Sequence, residues 1–354
     1  MKMCMLLLAS LFIVISPLNS DYTNMMKWLT ENKAVISPKL SLISENEYNR
    51  YIITTEDVKS EEQLVFIPSN LFISINHDII HPICKKVMGI GAHNSFNCLI
   101  YFLTIDKTNE HSFWKYYYSF LPIIQEENFP YYYNENDRNI ICNTEAKKDI
   151  EDIERKINEG YQSIKNHLKK GISCEEYKKN YIYVLSRNFA RNISILTINT
   201  LVPYLDMFNH ANENNCDYQF TKDGVYLIAL HPIKAKEQLT VSYGYNLSNV
   251  RLLTVYGFTL QEGYRMSIHF SFRNNTYTIS GFVQQNQLYT TMKRIQEDYP
   301  GLSNNDVLYE LKELFKERKS KYYKMKTRNK DVMRIVDEES FIIERYLEII
   351  NEFL

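Results

Sequence analysis

Two blocks of short strand-like runs, separated by a helical stretch, constrain what this chain can fold into. The first block lies within residues 51–75 and the second within residues 218–243, and both are rich in β-branched and aromatic residues. Asp223 and Gly224 form the predicted hairpin turn of the second block. Between the blocks, apolar residues recur every three or four positions over residues 150–168, which predicts a helix. We therefore expect small mixed sheets interrupted by helical sequence.

The N-terminus has the pattern of a secretory signal peptide. Lys2 precedes an apolar run over residues 3–15, and the small residue Ser20 closes a predicted cleavage site, so residues 1–20 are expected to be removed. The run is shorter than a bilayer-spanning helix requires, which favours a cleaved signal peptide. The alternatives are an uncleaved membrane anchor and a buried N-terminal helix. The predicted location is the secretory pathway or the exterior of the cell.

Charge and cysteine usage exclude several classes of function. The chain has 41 Lys and Arg residues against 42 Asp and Glu, a net charge of -1, so its overall field does not favour nucleic acid. Beyond residue 20, five cysteines remain without a CxxC pair, and we expect neither a zinc site nor a disulfide framework. Sequons that could be glycosylated in the secretory pathway stand at Asn192, Asn246 and Asn274.

The C-terminal part is predicted to be helical and contains one basic stretch. From Tyr277 to Leu354 the pattern is helical, and residues 312–330 contain nine Lys or Arg residues and two acids. A solvated helix face explains such a stretch, and the alternative is a docking surface for an acidic partner.

Polar residues interrupt the apolar sequence between Leu201 and Phe258. Asn209 and His210 end an apolar run, where they must either cap a turn or hold a ligand, since burying unpaired polar groups is costly. Tyr243 ends a strand-like run and precedes a glycine, and Tyr256 also precedes a glycine. Such tyrosines have a purely structural explanation, in which the ring packs against the core. The motifs of esterases, P-loop proteins and zinc proteases are missing from the chain.

Several ordered motifs together resemble the SET-domain methyltransferases, in the branch of the RuBisCO large-subunit lysine methyltransferase and the actin-histidine methyltransferase. The matching pieces are the SFWKYYYSFLP run at 112–122, Ser186 and Arg187, the LDMFNH run at 205–210 and the SYGYNLSNVRLLTVYGF run at 242–258. The resemblance implies an α+β fold in which a helical insert at about 85–185 splits the SET β-fold of residues 21–260. An all-helical, substrate-binding-like domain over 261–354 would follow.

The resemblance also implies an activity, namely S-adenosylmethionine-dependent N-methylation of lysine in a non-histone protein, without metal. Tyr243 would be the catalytic tyrosine, and Tyr256 and Phe258 would contact the substrate. The residues implied at the cofactor are Arg187, Asp206, Met207, Phe208, Asn209, His210 and Tyr243. Methyl transfer to an amine requires alignment, exclusion of water and a deprotonated nucleophile, and an aromatic channel favours the neutral amine.

Two turns depart from the pattern of the family. The glycine-containing turn that precedes the strand into the Glu56–Asp57–Val58 segment is Asn49–Arg50–Tyr51 here, and a later family glycine is Lys236. Two alternatives therefore stay open beside lysine methylation: methylation of a histidine side chain in the same pocket, and a catalytically inactive SET-fold module that binds a partner.

Overall fold

The strands of the protein form five small sheets in the computed structural model, which describes residues 18–46, 49–88, 95–122, 124–168, 172–193, 196–261 and 267–354. The strands are β1 (Val35–Ile36), β2 (Leu40–Ser44), β3 (Arg50–Thr54), β4 (Gln63–Pro68), β5 (Ile73–Ser74), β6 (Phe189–Ile193), β7 (Leu196–Leu201), β8 (Asn209–His210), β9 (Cys216–Phe220), β10 (Gly224–Ala229), β11 (Thr240–Val241), β12 (Ile268–Phe272) and β13 (Asn275–Ile279).

The two predicted strand blocks meet in the largest sheet, whose order is β1-β4-β10-β9. Strand β4 from the first block pairs antiparallel with β10 from the second, so residues about 160 positions apart become neighbours. The hairpin between β9 and β10 turns at Lys222 and Asp223, one residue before the predicted Asp223–Gly224, because Gly224 already belongs to β10. A Cβ at Gly224 would lie 2.3 Å from the carbonyl oxygen of Ile67. A side chain at this position is therefore excluded by the neighbouring strand.

Helices dominate residues 80–187, between the first strand block and β6, and most of the C-terminal part. They are α1 (Leu18–Glu31), α2 (Ile80–Met88), α3 (Ser95–Asp106), α4 (Lys115–Phe120), α5 (Glu135–Ile141), α6 (Ala146–Ile164), α7 (Cys174–Arg187), α8 (Asn249–Tyr256), α9 (Gln285–Asp298), α10 (Asn304–Lys324) and α11 (Lys330–Phe353). Helix α6 confirms the predicted central helix, with Ile150, Ile153 and Ile157 on its buried face. Within the described ranges, no helix combines the length and the apolar character needed to cross a bilayer.

The prediction of an all-helical C-terminal region is wrong at its beginning. Residues 268–279 form the antiparallel hairpin β12–β13, and only then do the three helices follow. Alternate residues of β12 are buried, with Ile268, Phe270 and Phe272 facing the core. This period of two is the signal of a half-buried strand that the sequence interpretation missed. The proposed boundary between residues 260 and 261 stays a prediction.

A disulfide is present where none was expected. Cys84 in α2 and Cys98 in α3 are bonded, their Cα atoms lie 5.6 Å apart, and both side chains are buried. The two cysteines are 14 residues apart in the chain, so no short motif marks them, and the packing of α2 against α3 brings them together. Cys142, Cys174 and Cys216 are free.

Candidate active site

A short parallel strand pair places the Asn-His motif beside the catalytic tyrosine candidate. Strand β8 pairs with β11 in the register Asn209 to Thr240 and His210 to Val241. Tyr243 follows β11 by two residues, so the chain delivers it to the end of the same strand pair. The side-chain amide of Asn209 donates to the carbonyl oxygen of Arg50 at 3.3 Å, and this bond holds the first residue of β3 against the β8–β11 pair.

Tyr243 is held in position through both its backbone and its hydroxyl. Its backbone N–H donates to Nδ1 of His210 at 3.2 Å, and the two rings stack with centroids 5.2 Å apart. Its hydroxyl donates to the carbonyl oxygen of Phe208 at 2.9 Å. Burial raises the pKa of Tyr243 above its usual value and lowers the pKa of His210. Both side chains are therefore neutral near pH 7, and Tyr243 cannot serve as a base.

Aromatic rings extend from Tyr243 toward the surface. The ring of Tyr256 lies 4.7 Å from that of Tyr243, and Phe258 lies 6.4 Å from both. Helix α8 ends after Tyr256 because Gly257 adopts a left-handed conformation with φ of 77°. This turn directs Tyr256 and Phe258 toward the same cavity.

Two cavities meet at this group of residues. One of about 190 Å³ lies between α1, α4, the end of α7 and the Asn-His segment, and a second of about 450 Å³ lies on the side of β6, β9 and α8. Both are lined by the same five residues: Ser186, Arg187, Asp206, Tyr243 and Tyr256. The two cavities therefore adjoin at these five residues, where molecules bound in each could come into contact, as a transfer reaction requires.

Asp206 is the only acidic residue among those that line either cavity. Its Oδ2 accepts a hydrogen bond from the Tyr117 hydroxyl at 2.6 Å, whereas Oδ1 is buried and has no hydrogen-bond partner among the described residues. Burial raises the pKa of Asp206 to about 6, although the positive charge of Arg187 opposes this shift. The guanidinium of Arg187 lies over the Tyr183 ring, 4.6 Å from its centroid.

The structure brings most of the sequence-predicted site residues together. Arg187, Asp206, Met207, Asn209, Tyr243, Tyr256 and Phe258 line the smaller cavity. Phe208 is fully buried and lines the larger cavity instead, with its carbonyl bonded to Tyr243. The side chain of His210 lines neither cavity and contacts the rings of Tyr243 and Phe258. Asn209 and His210 are both half-buried, and each makes a hydrogen bond, from the Asn209 amide to Arg50 and from the Tyr243 N–H to Nδ1 of His210.

Tyr117 and Arg50 are among the lining residues that sequence reasoning missed. Tyr117 is the second of three consecutive tyrosines in the SFWKYYYSFLP run, and nothing in that run shows that its hydroxyl reaches Asp206, 89 residues away. Arg50 lies in the turn that departs from the family, where only the loss of glycine was noted, and its side chain lines the smaller cavity. Among the described residues, no group of three or more His, Cys, Asp or Glu is arranged to hold a metal ion.

Known proteins share this architecture. The RuBisCO LSMT SET domain bound to lysine and AdoHcy superposes with a TM-score of 0.73 at 16% identity over 95% of this chain and 92% of that one. RuBisCO LSMT bound to AdoMet gives a TM-score of 0.72 at 16% identity, covering 96% of this chain and 92% of that one. Both likenesses show the fold.

Curated relatives match over most of the chain. N-lysine methyltransferase setd6 of Xenopus laevis is 20% identical over 67% of this chain and 56% of its own length. The RuBisCO large subunit N-methyltransferase of Pisum sativum is 22% identical over 66% of this chain and 50% of its own. The chain thus spans about half the length of these relatives. The SET domain family model matches residues 49–244, more than half of the chain, and the protein therefore belongs to the SET domain family.

Proposed function

We propose that the protein is an S-adenosylmethionine-dependent protein-lysine N-methyltransferase that acts on a non-histone protein. The observation that carries this proposal is the pair of adjoining cavities that share Tyr243 and Tyr256 in their linings. A methyl donor in one cavity and an amine in the other would meet in line beside these two tyrosines. The relatives are named as N-lysine methyltransferases, and related structures hold AdoMet, AdoHcy and lysine. The net charge of -1 supports a substrate outside chromatin.

The residues of the smaller cavity fit S-adenosylmethionine. Arg187 offers a cation to the carboxylate of the cofactor, and the unpartnered Oδ1 of Asp206 offers a buried acceptor. Asn209 and Met207 also line the smaller cavity. When bound, the cofactor supplies a methyl group on a positively charged sulfur.

The chain's own residues prepare the amine. Tyr243, Tyr256 and Phe258 form an aromatic, poorly hydrated passage that disfavours an ammonium and so lowers the pKa of an entering lysine. Because Tyr243 is a neutral phenol that donates to Phe208, it positions the reacting groups and accepts no proton. The proton of the lysine therefore leaves to solvent before transfer.

The decisive experiment is calorimetric titration of S-adenosylhomocysteine into residues 21–354, followed by methylation with S-adenosylmethionine. We expect micromolar binding, on the order of -8 kcal/mol, and methyl groups mapped to lysine in captured protein substrates. Methyl groups mapped to histidine would contradict the lysine assignment. Absence of binding in a folded protein would instead favour an inactive binding module.

We further propose that the basic stretch 312–330 docks an acidic partner. Support comes from exposed cations at the end of α10 and the loop beyond it: Lys324, Lys326 and Arg328 form no ion pair with another described residue. We expect a glutamate-rich peptide to bind, and replacement of these three residues by Glu to abolish binding at low salt. The same change at exposed Lys147, Lys156 and Lys179 is the control, and equal loss there would refute a specific surface.

We also propose that the protein enters the secretory pathway. The apolar run at residues 3–15 lies outside the described residues, and the Cys84–Cys98 disulfide supports an oxidising compartment. N-terminal sequencing of the native protein should begin near Asp21 if residues 1–20 are cleaved. A chain that begins at Met1 and extracts with membranes would indicate the uncleaved anchor, and a soluble chain with free thiols at Cys84 and Cys98 would refute entry.

A further inference from the structure

Arg50 brings a charged side chain into the cavity from a position in the turn where the family carries glycine. It begins β3, and its backbone carbonyl accepts from Asn209 at 3.3 Å. Its side chain lines the same cavity as Arg187, Asp206 and Asn209. The departure from the family therefore adds a functional group to the cavity wall as well as removing glycine.

The guanidinium of Arg50 is held in place by α4. Nη1 donates to the carbonyl oxygen of Phe120 at 2.7 Å, and the guanidinium carbon lies 4.6 Å from the centroid of the Phe120 ring. A cation that is already hydrogen-bonded and stacked on a ring loses little rotamer entropy when it binds a ligand. Arg50 is thus oriented before any ligand arrives.

The charge balance of the cavity favours an anion. Its described lining contains two cations, Arg50 and Arg187, and one acidic residue, Asp206. Burial lowers the pKa of Arg50, and the positive charge of Arg187 acts in the same direction. An anion placed between the two arginines would offset both effects.

We propose that Arg50 binds the carboxylate of the amino-acid end of S-adenosylmethionine. This inference rests on the proposed function. The carboxylate is the single negative group of that cofactor, whose sulfonium and ammonium groups are both positive, so charge directs the amino-acid end toward Arg50. A charge-assisted hydrogen bond between guanidinium and carboxylate is stronger than one between neutral groups.

Two ligands that differ at the amino-acid end test the proposal. S-adenosylhomocysteine carries the carboxylate, and 5′-methylthioadenosine lacks the whole amino-acid end. By calorimetry we expect Arg50→Gln to weaken the binding of S-adenosylhomocysteine by about 10- to 100-fold. The affinity for 5′-methylthioadenosine should stay within about 2-fold of the wild-type value. Arg50→Lys should recover part of the loss because the charge is kept. Arg345→Gln, an exposed arginine of α11, is the matched control and should change neither affinity.

Other outcomes overturn the inference. Tighter binding by Arg50→Gly would show that the side chain obstructs the cavity, and equal loss of both ligands would show that Arg50 only supports the fold through Phe120. Unchanged binding of both ligands would show that Arg50 has no role at the cofactor. If the wild-type protein binds neither ligand, the proposed function fails first and the inference falls with it.

Discussion

Two buried carboxylates, one at the candidate site and one among the C-terminal helices, differ in how completely their oxygens are hydrogen-bonded. We call Tyr117, Arg187 and Asp206 the site cluster. Asp206 has one oxygen bonded to Tyr117 and the other, Oδ1, without a hydrogen-bond partner among the described residues. Burial raises its pKa to about 6. An unfilled acceptor beside two cavities is a cost to the fold that a bound ligand can relieve.

The second carboxylate belongs to a network that is completely bonded. We call Glu145, Arg318, Tyr322 and Glu339 the C-terminal cluster. Oε1 of Glu339 accepts from the backbone N–H of Glu145 at 2.7 Å, and Oε2 accepts from Arg318 at 3.0 Å and from the Tyr322 hydroxyl. Glu339 is fully buried, and burial raises its pKa to about 7. The network joins the start of α6 to α10 and α11, so its role is structural.

The largest effect should come from breaking the C-terminal cluster. Arg318 donates to both Glu145 and Glu339, and Arg318→Met leaves the buried Glu339 without its counter-charge. We expect a loss of about 3–5 kcal/mol in the free energy of unfolding, measured by urea denaturation. Arg345→Met, which removes an exposed pair with Glu348, should cost less than about 0.5 kcal/mol. A loss below about 1 kcal/mol for Arg318→Met would show that the network is incidental.

Loss of the Tyr243 hydroxyl should affect turnover rather than stability. Tyr243→Phe removes the hydrogen bond to Phe208 and a hydroxyl from a residue that lines both cavities, and we expect a loss of about 100-fold or more in methyl transfer. The free energy of unfolding should fall by only about 1 kcal/mol. Tyr245→Phe, two residues away and 90% exposed, is the control for both assays. A fully active Tyr243→Phe protein would contradict the catalytic assignment.

Glu339→Gln should be costly because of the direction of its hydrogen bonds. Both carboxylate oxygens accept from donors, so the amide nitrogen of glutamine must face either the Glu145 N–H or the Arg318 and Tyr322 donors. We expect a loss of about 1–3 kcal/mol in the free energy of unfolding at pH 8. Glu344→Gln, which removes an exposed pair with Lys319, should be nearly neutral.

The contrast between the clusters also marks how far sequence reasoning could reach. The resemblance to an ordered family pattern predicted that the runs around Asn209 and Tyr243 share one site, whereas each run taken alone fitted simple packing as well. The C-terminal cluster could not be predicted, since Glu145 and Glu339 lie 194 residues apart and carry no local pattern. Tyr117 lies in the SFWKYYYSFLP run that carries the family resemblance. Its hydrogen bond to Asp206 nevertheless depends on how α4 packs, which the run does not show. Local periodicity predicts elements, whereas pairs between distant elements are decided by packing.

The smallest change in stability is expected for Asp206→Asn. The asparagine carbonyl can accept from Tyr117 while its amide takes the side where Oδ1 has no partner, so the cost at pH 8 should be below about 1 kcal/mol. The same substitution removes the titratable carboxyl group of this residue. The carboxyl of Asp206 has a higher pKa in the folded protein, about 6, than in the unfolded chain, about 3.9, so the folded state binds the proton more tightly. Its contribution to stability is therefore complete below pH 4 and disappears as the pH rises through 6.

The free energy of unfolding of wild type and Asp206→Asn, followed from pH 4 to pH 8, checks this difference. The disadvantage of the variant should be greatest at pH 4 and shrink through pH 6, because only the wild-type side chain gives up a proton over that range. Parallel curves for Asp206→Asn would mean that this carboxyl titrates normally, and a cost at pH 8 as large as that of Glu339→Gln would place Asp206 among the structural carboxylates.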